Sequence, residues 1–253
     1  MPPTFADIVA ARKFISPYLP RTPLVRLPII SEALDCDYYA KLENLQPTGA
    51  FKVRGGVNLV GNEVGTRSDS RVTLITASTG NHGQSIAYGG RLFGARVIIY
   101  APAENVNESK MQAMRDLGAE VRLHGRDFDE ARLEMERVAG DAGYRYVHSA
   151  NEAMLVAGVG TMGLEIFEDL PDVDVIIAPA GGGSCASGNC IVARELNPKV
   201  RVFATQSEAA PAMWQAFQNR SLGSLSHDGD RPRGTGDARA FRTHEQDSLG
   251  AAK

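Results

Sequence analysis

Two hydrophobic patterns alternate along the chain. Short unbroken apolar runs bounded by turn residues read as strands buried on both faces. Segments with apolar positions every three or four residues read as helices laid against them. Thr4 can cap a first helix, Phe5 to about Leu19, that ends at Pro20. Thr22–Leu27 reads as extended, Ser31–Leu34 as about one helical turn, and Tyr38–Leu42 as an alternating apolar run. After the turn Pro47-Thr48-Gly49 a helix restarts with Lys52 in its first turn. The strands Arg71–Ala77, Arg96–Tyr100, Glu120–Leu123 and Tyr144–His148 then alternate with the helices His82 to about Phe93, Asn107–Leu117 and Asp127–Val138. Met111, Met114 and Leu117 recur every three residues and form a core-facing stripe.

The second half repeats the scheme. A helix from about Met154 to Leu170 leads to the strand Val173–Ala178, a glycine cluster, a helix to about Leu196, the strand Arg201–Thr205 and the helix Ala210–Phe217. Two strand–helix arrays of this size predict an α/β fold: two open, mostly parallel sheets flanked by helices, with a cleft between them. From Ser224 onward apolar residues almost vanish, and by composition that tail should not pack.

Composition narrows the function classes. The chain has 253 residues, 43% of them hydrophobic and 23% charged, with a net charge of -3. No basic run suggests nucleic acid or an anionic membrane surface. No stretch of about 18 apolar residues could span a bilayer. The first residues, Met-Pro-Pro-Thr-Phe-Ala-Asp, lack the blocks of a signal peptide. Cys36, Cys185 and Cys190 are odd in number and without metal-ligand spacing, so free thiols in a reducing cytoplasm are expected.

Four stretches bear on chemistry. Lys52 stands near the positive end of a helix beside Phe51, and that field and partial burial both disfavour its ammonium form. A lysine so placed becomes a usable amine nucleophile, although most lysines are solvated surface groups. The strand Val173–Ala178, the loop Gly181-Gly182-Gly183-Ser184 and the following helix outline a phosphate cradle, or else a tight strand-to-helix turn. It is not a Walker A loop, because no Gly-Lys-Ser/Thr follows. Ser78-Thr79-Gly80-Asn81-His82 ends a buried strand and opens a helix, which suits a carboxylate and equally suits an N-cap. Gly158-Val159-Gly160-Thr161-Met162-Gly163 matches a dinucleotide fingerprint by letter. It lies inside a helical pattern, so it reads as close helix packing. The five histidines show no ligand spacing, and no Ser/His/Asp set can be assembled.

Thr-Gly-Ala-Phe-Lys-Val-Arg-Gly, Ser-Thr-Gly-Asn-His-Gly-Gln and Gly-Gly-Gly-Ser, in this order, resemble the pyridoxal-phosphate enzymes of fold type II, the tryptophan-synthase-β-like group. The threonine dehydratase and serine racemase family is the nearest likeness, over about Thr4 to Leu222. Arg21-Thr22-Pro23-Leu24, Leu117-Gly118-Ala119-Glu120-Val121 and Ala157-Gly158-Val159-Gly160-Thr161 fit in register. The resemblance implies a large domain from residues 1–64 and 147–222, a small domain at 65–146, and the cofactor between them. Lys52 would hold pyridoxal 5'-phosphate as a Schiff base and then act as the base at the substrate α-carbon. Phe51 would lie beside the cofactor and Asn81 would bond its 3-oxygen. Gly181, Gly182, Gly183 and Ser184 would hold its phosphate, with Ser184 where the family more often has glycine. Ser78, Thr79, Gly80 and His82 would line the substrate-carboxylate loop.

The implied reaction is β-elimination from L-threonine, L-serine or a related 3-hydroxy amino acid, giving a 2-oxo acid and ammonia. Alternatives are racemisation, since Thr79 brings a hydroxyl to the position where the racemases have serine, or an inactive cofactor-binding fragment. The resemblance also implies a homo-oligomer, a dimer or tetramer. Gln206 replaces the family's acidic metal ligand, so no metal site is expected. The family's continuation after Ser221, with its Ser or Thr for the cofactor ring nitrogen, is not visible. A one-nucleotide shift within the codons for Arg233–Leu249 would permit it, so residues 223–253 read as a disordered, frameshifted tail lacking the end of the large domain.

Overall fold

The computed structural model describes residues 1–66, 72–209 and 211–218. The readings made for Arg71, Ala210 and the 223–253 tail lie outside these residues. Thr4 caps α1 (Phe5–Ile15) in a capping box with Asp7, as its position before an apolar stripe suggests. The helix stops four residues short of the expected Leu19. Pro17 cannot donate to the ladder, and Tyr18 and Leu19 fold back onto the carbonyl of Ile15 instead. The strand β1 (Leu24–Arg26) follows, then α2 (Pro28–Leu34) and β2 (Tyr39–Lys41), which pairs antiparallel with β1.

Next come α3 (Lys52–Gly65), β3 (Thr73–Ala77), α4 (Asn81–Phe93), β4 (Arg96–Ala101), α5 (Glu108–Asp116) and β5 (Glu120–Leu123). After them come α6 (Phe128–Ala142) and β6 (Arg145–Tyr146). The side chains of Asn107 and Asp127 cap α5 and α6. The second of these helices runs four residues beyond the expected Val138, and Gly143 closes it at φ +65°. These strands form one all-parallel sheet in the order β5-β4-β3-β6, with the apolar runs β3 and β4 inside it. Met111 and Met114 are fully buried under that sheet, with Leu117 against them.

The chain continues through α7 (Ala153–Asp169), β7 (Val175–Pro179), α8 (Ser184–Leu196), β8 (Arg201–Thr205) and α9 (Ala212–Gln218). β7 and β8 pair in parallel. This pair is less covered than an inner sheet: Ile177 and Phe203, partners in register, are 60% and 48% exposed. Gln206 accepts from the N–H groups of Met213 and Trp214 at 3.0 and 3.1 Å, and so holds the start of α9.

Glycines bring α3, α7 and α8 together. A β-carbon on Gly158 would lie 2.5 Å from the Arg54 carbonyl oxygen and 2.7 Å from Gly55 Cα. One on Gly188 would lie 2.7 Å from Gly160 Cα. The Gly158–Gly163 stretch is therefore a helix-packing motif, as its place in the sequence indicates. Between Leu155 and Phe167, α7 is buried throughout.

Candidate active site

Gly49, at φ +67°, closes the turn after Gln46 with a 2.7 Å hydrogen bond and delivers the chain into α3. Lys52 is the first residue of that helix. Its side chain lies 5.7 Å from the centre of the Phe51 ring, and its Nζ is 2.9 Å from Ser184 Oγ. Burial pushes the amine down to about 8, partly opposed by the neighbouring Cys185 thiol, itself pushed up to about 12 by burial.

The lysine meets Ser184 because α3 lies on α7 and α7 on α8 at glycine contacts. Gly183, at φ +87°, turns the chain into α8. The first main-chain bond across that turn is Ser187 N–H to Gly183 O, 2.9 Å. The N–H groups of Ser184, Cys185 and Ala186 therefore remain as donors. Nothing lies within 4 Å of where a β-carbon on Gly181 would be. An open glycine bend, three N–H donors, a hydroxyl and a lysine of depressed pKa suit a phosphate-bearing aldehyde, and so fit pyridoxal phosphate.

The second loop follows β3. Ser78 Oγ accepts from Gly80 N–H at 3.2 Å and Gly83 N–H at 2.9 Å, so this hydroxyl fixes the loop. Thr79 and Gly80 are half-buried, and Asn81 is exposed at the first position of α4. Among the described residues, the Thr79 hydroxyl and the N–H groups of Thr79, Asn81 and His82 make no hydrogen bond. The His82 side chain turns inward. Its Nε2 lies 3.0 Å from Thr76 Oγ1, which donates to the Val147 carbonyl at 2.7 Å, so Nε2 carries the proton. Burial, with the charges of Lys52 and His148 acting in the same direction, pushes His82 down to about 3, and its Nδ1 has no hydrogen-bond partner. What His82 offers the loop's open face is its N–H group; its imidazole lies beneath, within electrostatic reach of Lys52.

A buried ion cluster under Lys52 went unread in the sequence. Arg54, 1% exposed, donates to Glu43 at 2.7 and 2.8 Å and to Glu165 at 2.8 and 2.8 Å. Lys41 Nζ also pairs with Glu165, at 2.7 Å, and Arg12 reaches the same carboxylate. Burial opposes the charge on both Arg54 and Glu165. Their mutual bonds prevail, raising Arg54 and lowering Glu165 to about 2. The cluster ties α1, β2, α3 and α7 together two residues from Lys52. One signal was available: Glu165 is the one carboxylate within the apolar stretch Leu155–Phe167 of α7, where a buried charge has to be paired.

Comparisons with known proteins identify relatives of the chain as a whole. The family described as pyridoxal-phosphate dependent enzyme matches residues 15–247. An L-threonine ammonia-lyase of Thermotoga maritima is 38% identical over 214 residues, 83% of this chain and 52% of the relative. An L-threonine dehydratase, catabolic TdcB, of Staphylococcus aureus is 36% identical over 220 residues, 87% of this chain and 63% of the relative. The chain thus spans between about half and two-thirds of the length of these curated relatives. Among solved structures, the processed form of threonine deaminase isoform 2 from Solanum lycopersicum superposes with a TM-score of 0.77 at 26% identity, covering 87% of this chain and 62% of that one. Serine racemase from Dictyostelium discoideum gives 0.80 at 29% identity, covering 88% and 71%.

Proposed function

The chain belongs to the pyridoxal-phosphate dependent enzyme family, and on that premise we propose that it is a lyase for L-threonine, L-serine or a related 3-hydroxy amino acid. The carrying observation is the Lys52 amine, depressed to about 8 and 2.9 Å from the hydroxyl that opens the glycine-loop helix. When bound, pyridoxal phosphate supplies the electron sink for the pair released as the α-proton leaves.

The chain's own residues do the rest. Lys52 would carry the cofactor through Nζ and, once displaced by substrate, take the α-proton. With a pKa near 8, about a tenth of such amines are uncharged at pH 7. Gly181, Gly182, Gly183 and Ser184 would hold the phosphate, Phe51 would flank the ring, and Asn81 would bond the 3-oxygen. The free N–H groups of the Ser78–His82 loop would hold the substrate carboxylate, with Ser78 keeping the loop in shape. The cofactor would sit between a large part, residues 1–64 and 147–222, and a small part, 65–146. Among the described residues no helix is long and apolar enough to cross a membrane; cytoplasmic residence and homo-oligomerisation belong to the same proposal.

The full chain, purified with added pyridoxal phosphate, should absorb in the visible and release 2-oxo acid and ammonia from threonine or serine. Lys52→Ala should lose both signals. A chain that binds the cofactor without releasing 2-oxo acid from threonine, serine or any of a panel of other 3-hydroxy amino acids refutes the lyase reading. A second activity, racemisation, is favoured by the unpartnered Thr79 hydroxyl. It predicts D-serine from L-serine, lost in Thr79→Ala while elimination persists.

A further inference from the structure

α5 meets the start of α4 at two points one turn apart. Met114 lies against Gly83, its Cε and Sδ 2.8 and 2.9 Å from where a β-carbon would stand. One turn earlier, Lys110 reaches over Gly80, with Nζ at 3.4 Å and Cδ at 3.7 Å from the corresponding position. Met114 is fully buried and Lys110 half-buried, so the first contact fixes the helix and aims the second at the loop. Glu108, the acidic residue nearest Lys110 on its own helix, is engaged by Arg115. Among the described residues no carboxylate pairs with the Lys110 ammonium. An unpaired cation therefore stands over a loop with free N–H groups at Thr79, Asn81 and His82 and a free hydroxyl at Thr79.

We propose that Lys110 is a substrate-binding residue, its ammonium pairing with the α-carboxylate of the amino acid held by the Ser78–His82 loop. This rests on the reading of that loop as the substrate-carboxylate site. Lys110 supplies the countercharge that neutral N–H groups alone do not, and a charge-assisted bond of this kind discriminates an amino acid from its uncharged amide.

The test uses the full cofactor-loaded chain and L-alanine, which carries the carboxylate but has no β-hydroxyl to lose. Calorimetry should show Lys110→Ala weakening L-alanine binding roughly 10- to 100-fold. L-alaninamide binding and the cofactor's visible absorbance should be unchanged, and Lys110→Arg should restore most of the loss. With a reacting substrate the same change should appear in KM more than in kcat. An unchanged Kd for L-alanine in Lys110→Ala and Lys110→Gln, with cofactor bound, overturns the proposal. Failure of the lyase reading would show separately, as L-alanine binding with no 2-oxo acid from threonine, serine or that panel. A wild-type chain that binds no amino acid overturns both.

Discussion

Lys52 is positioned by burial and by one hydroxyl, and both can be probed singly. Its depressed pKa means that below about 8 the folded chain holds a buried ammonium at a cost. That cost is relieved as pH rises from about 8 towards 10.5, where the unfolded chain still holds the proton, so this group makes stability rise over that interval. Cofactor capture by the empty chain should follow the same amine, with its rate rising through pH 8; stopped-flow absorbance would record it. Ser184→Ala removes the hydrogen-bond partner of Nζ and a donor of the glycine loop, and should weaken cofactor binding roughly fivefold to tenfold in equilibrium titration. At this scale the candidate site was legible where its residues are contiguous. Phe51-Lys52 after a glycine turn, and glycines before Ser184, are contiguous signals. Arg54 and Glu165 are 111 positions apart, and nothing local joins them.

Helix starts were legible where one side chain can cap them, and helix ends less so. Thr4, Asn107 and Asp127 cap helices as their side chains allow, and the unbroken apolar runs of β3 and β4 became inner parallel strands. α1 ends before Pro20 because Pro17 already withholds a donor. α6 runs one turn past Val138 because Gly143 is the residue that fits the left-handed closing position. Glycines inside helices divide by surroundings. Gly158→Ala pushes a methyl to 2.5 Å from the Arg54 carbonyl, so α3 and α7 must part. It should cost about 1–3 kcal/mol in thermal or urea unfolding and lower the cofactor absorbance as well. Gly140→Ala, on α6 with nothing within 4 Å, should leave cofactor binding alone and stabilise by up to about 1 kcal/mol.

For the whole molecule, the two-array α/β architecture was readable from alternation, while the strand order β5-β4-β3-β6 and the cross-chain ion cluster arise only on assembly. Glu165 joins three cations from three separate elements, so Glu165→Ala should be far worse than a surface change. It leaves Arg54 and Lys41 buried without their shared carboxylate, costing about 3–5 kcal/mol by urea midpoint. Glu165→Gln, which keeps the hydrogen-bond acceptor, should cost less. Its pKa, lowered from 4.5 to about 2, makes this contribution complete above pH 4.5 and lost as pH falls towards 2; wild-type acid unfolding should be steep there, and Glu165→Gln shallower.

The glycine contacts that join α3, α7 and α8 carry a consequence for engineering. The amine is located by main chain against main chain, and α4, which the β3–α4 loop opens, rests on the same α3 through Gly56 against the Ser85 carbonyl; the side chains of Thr79 and Lys110 take no part in those contacts. Libraries that vary Thr79, Gly80 and Lys110 should therefore retune which amino acid is accepted while the amine stays in register with Ser184. In this scaffold, the side chains proposed to choose the substrate can be varied without touching the glycine contacts that seat Lys52.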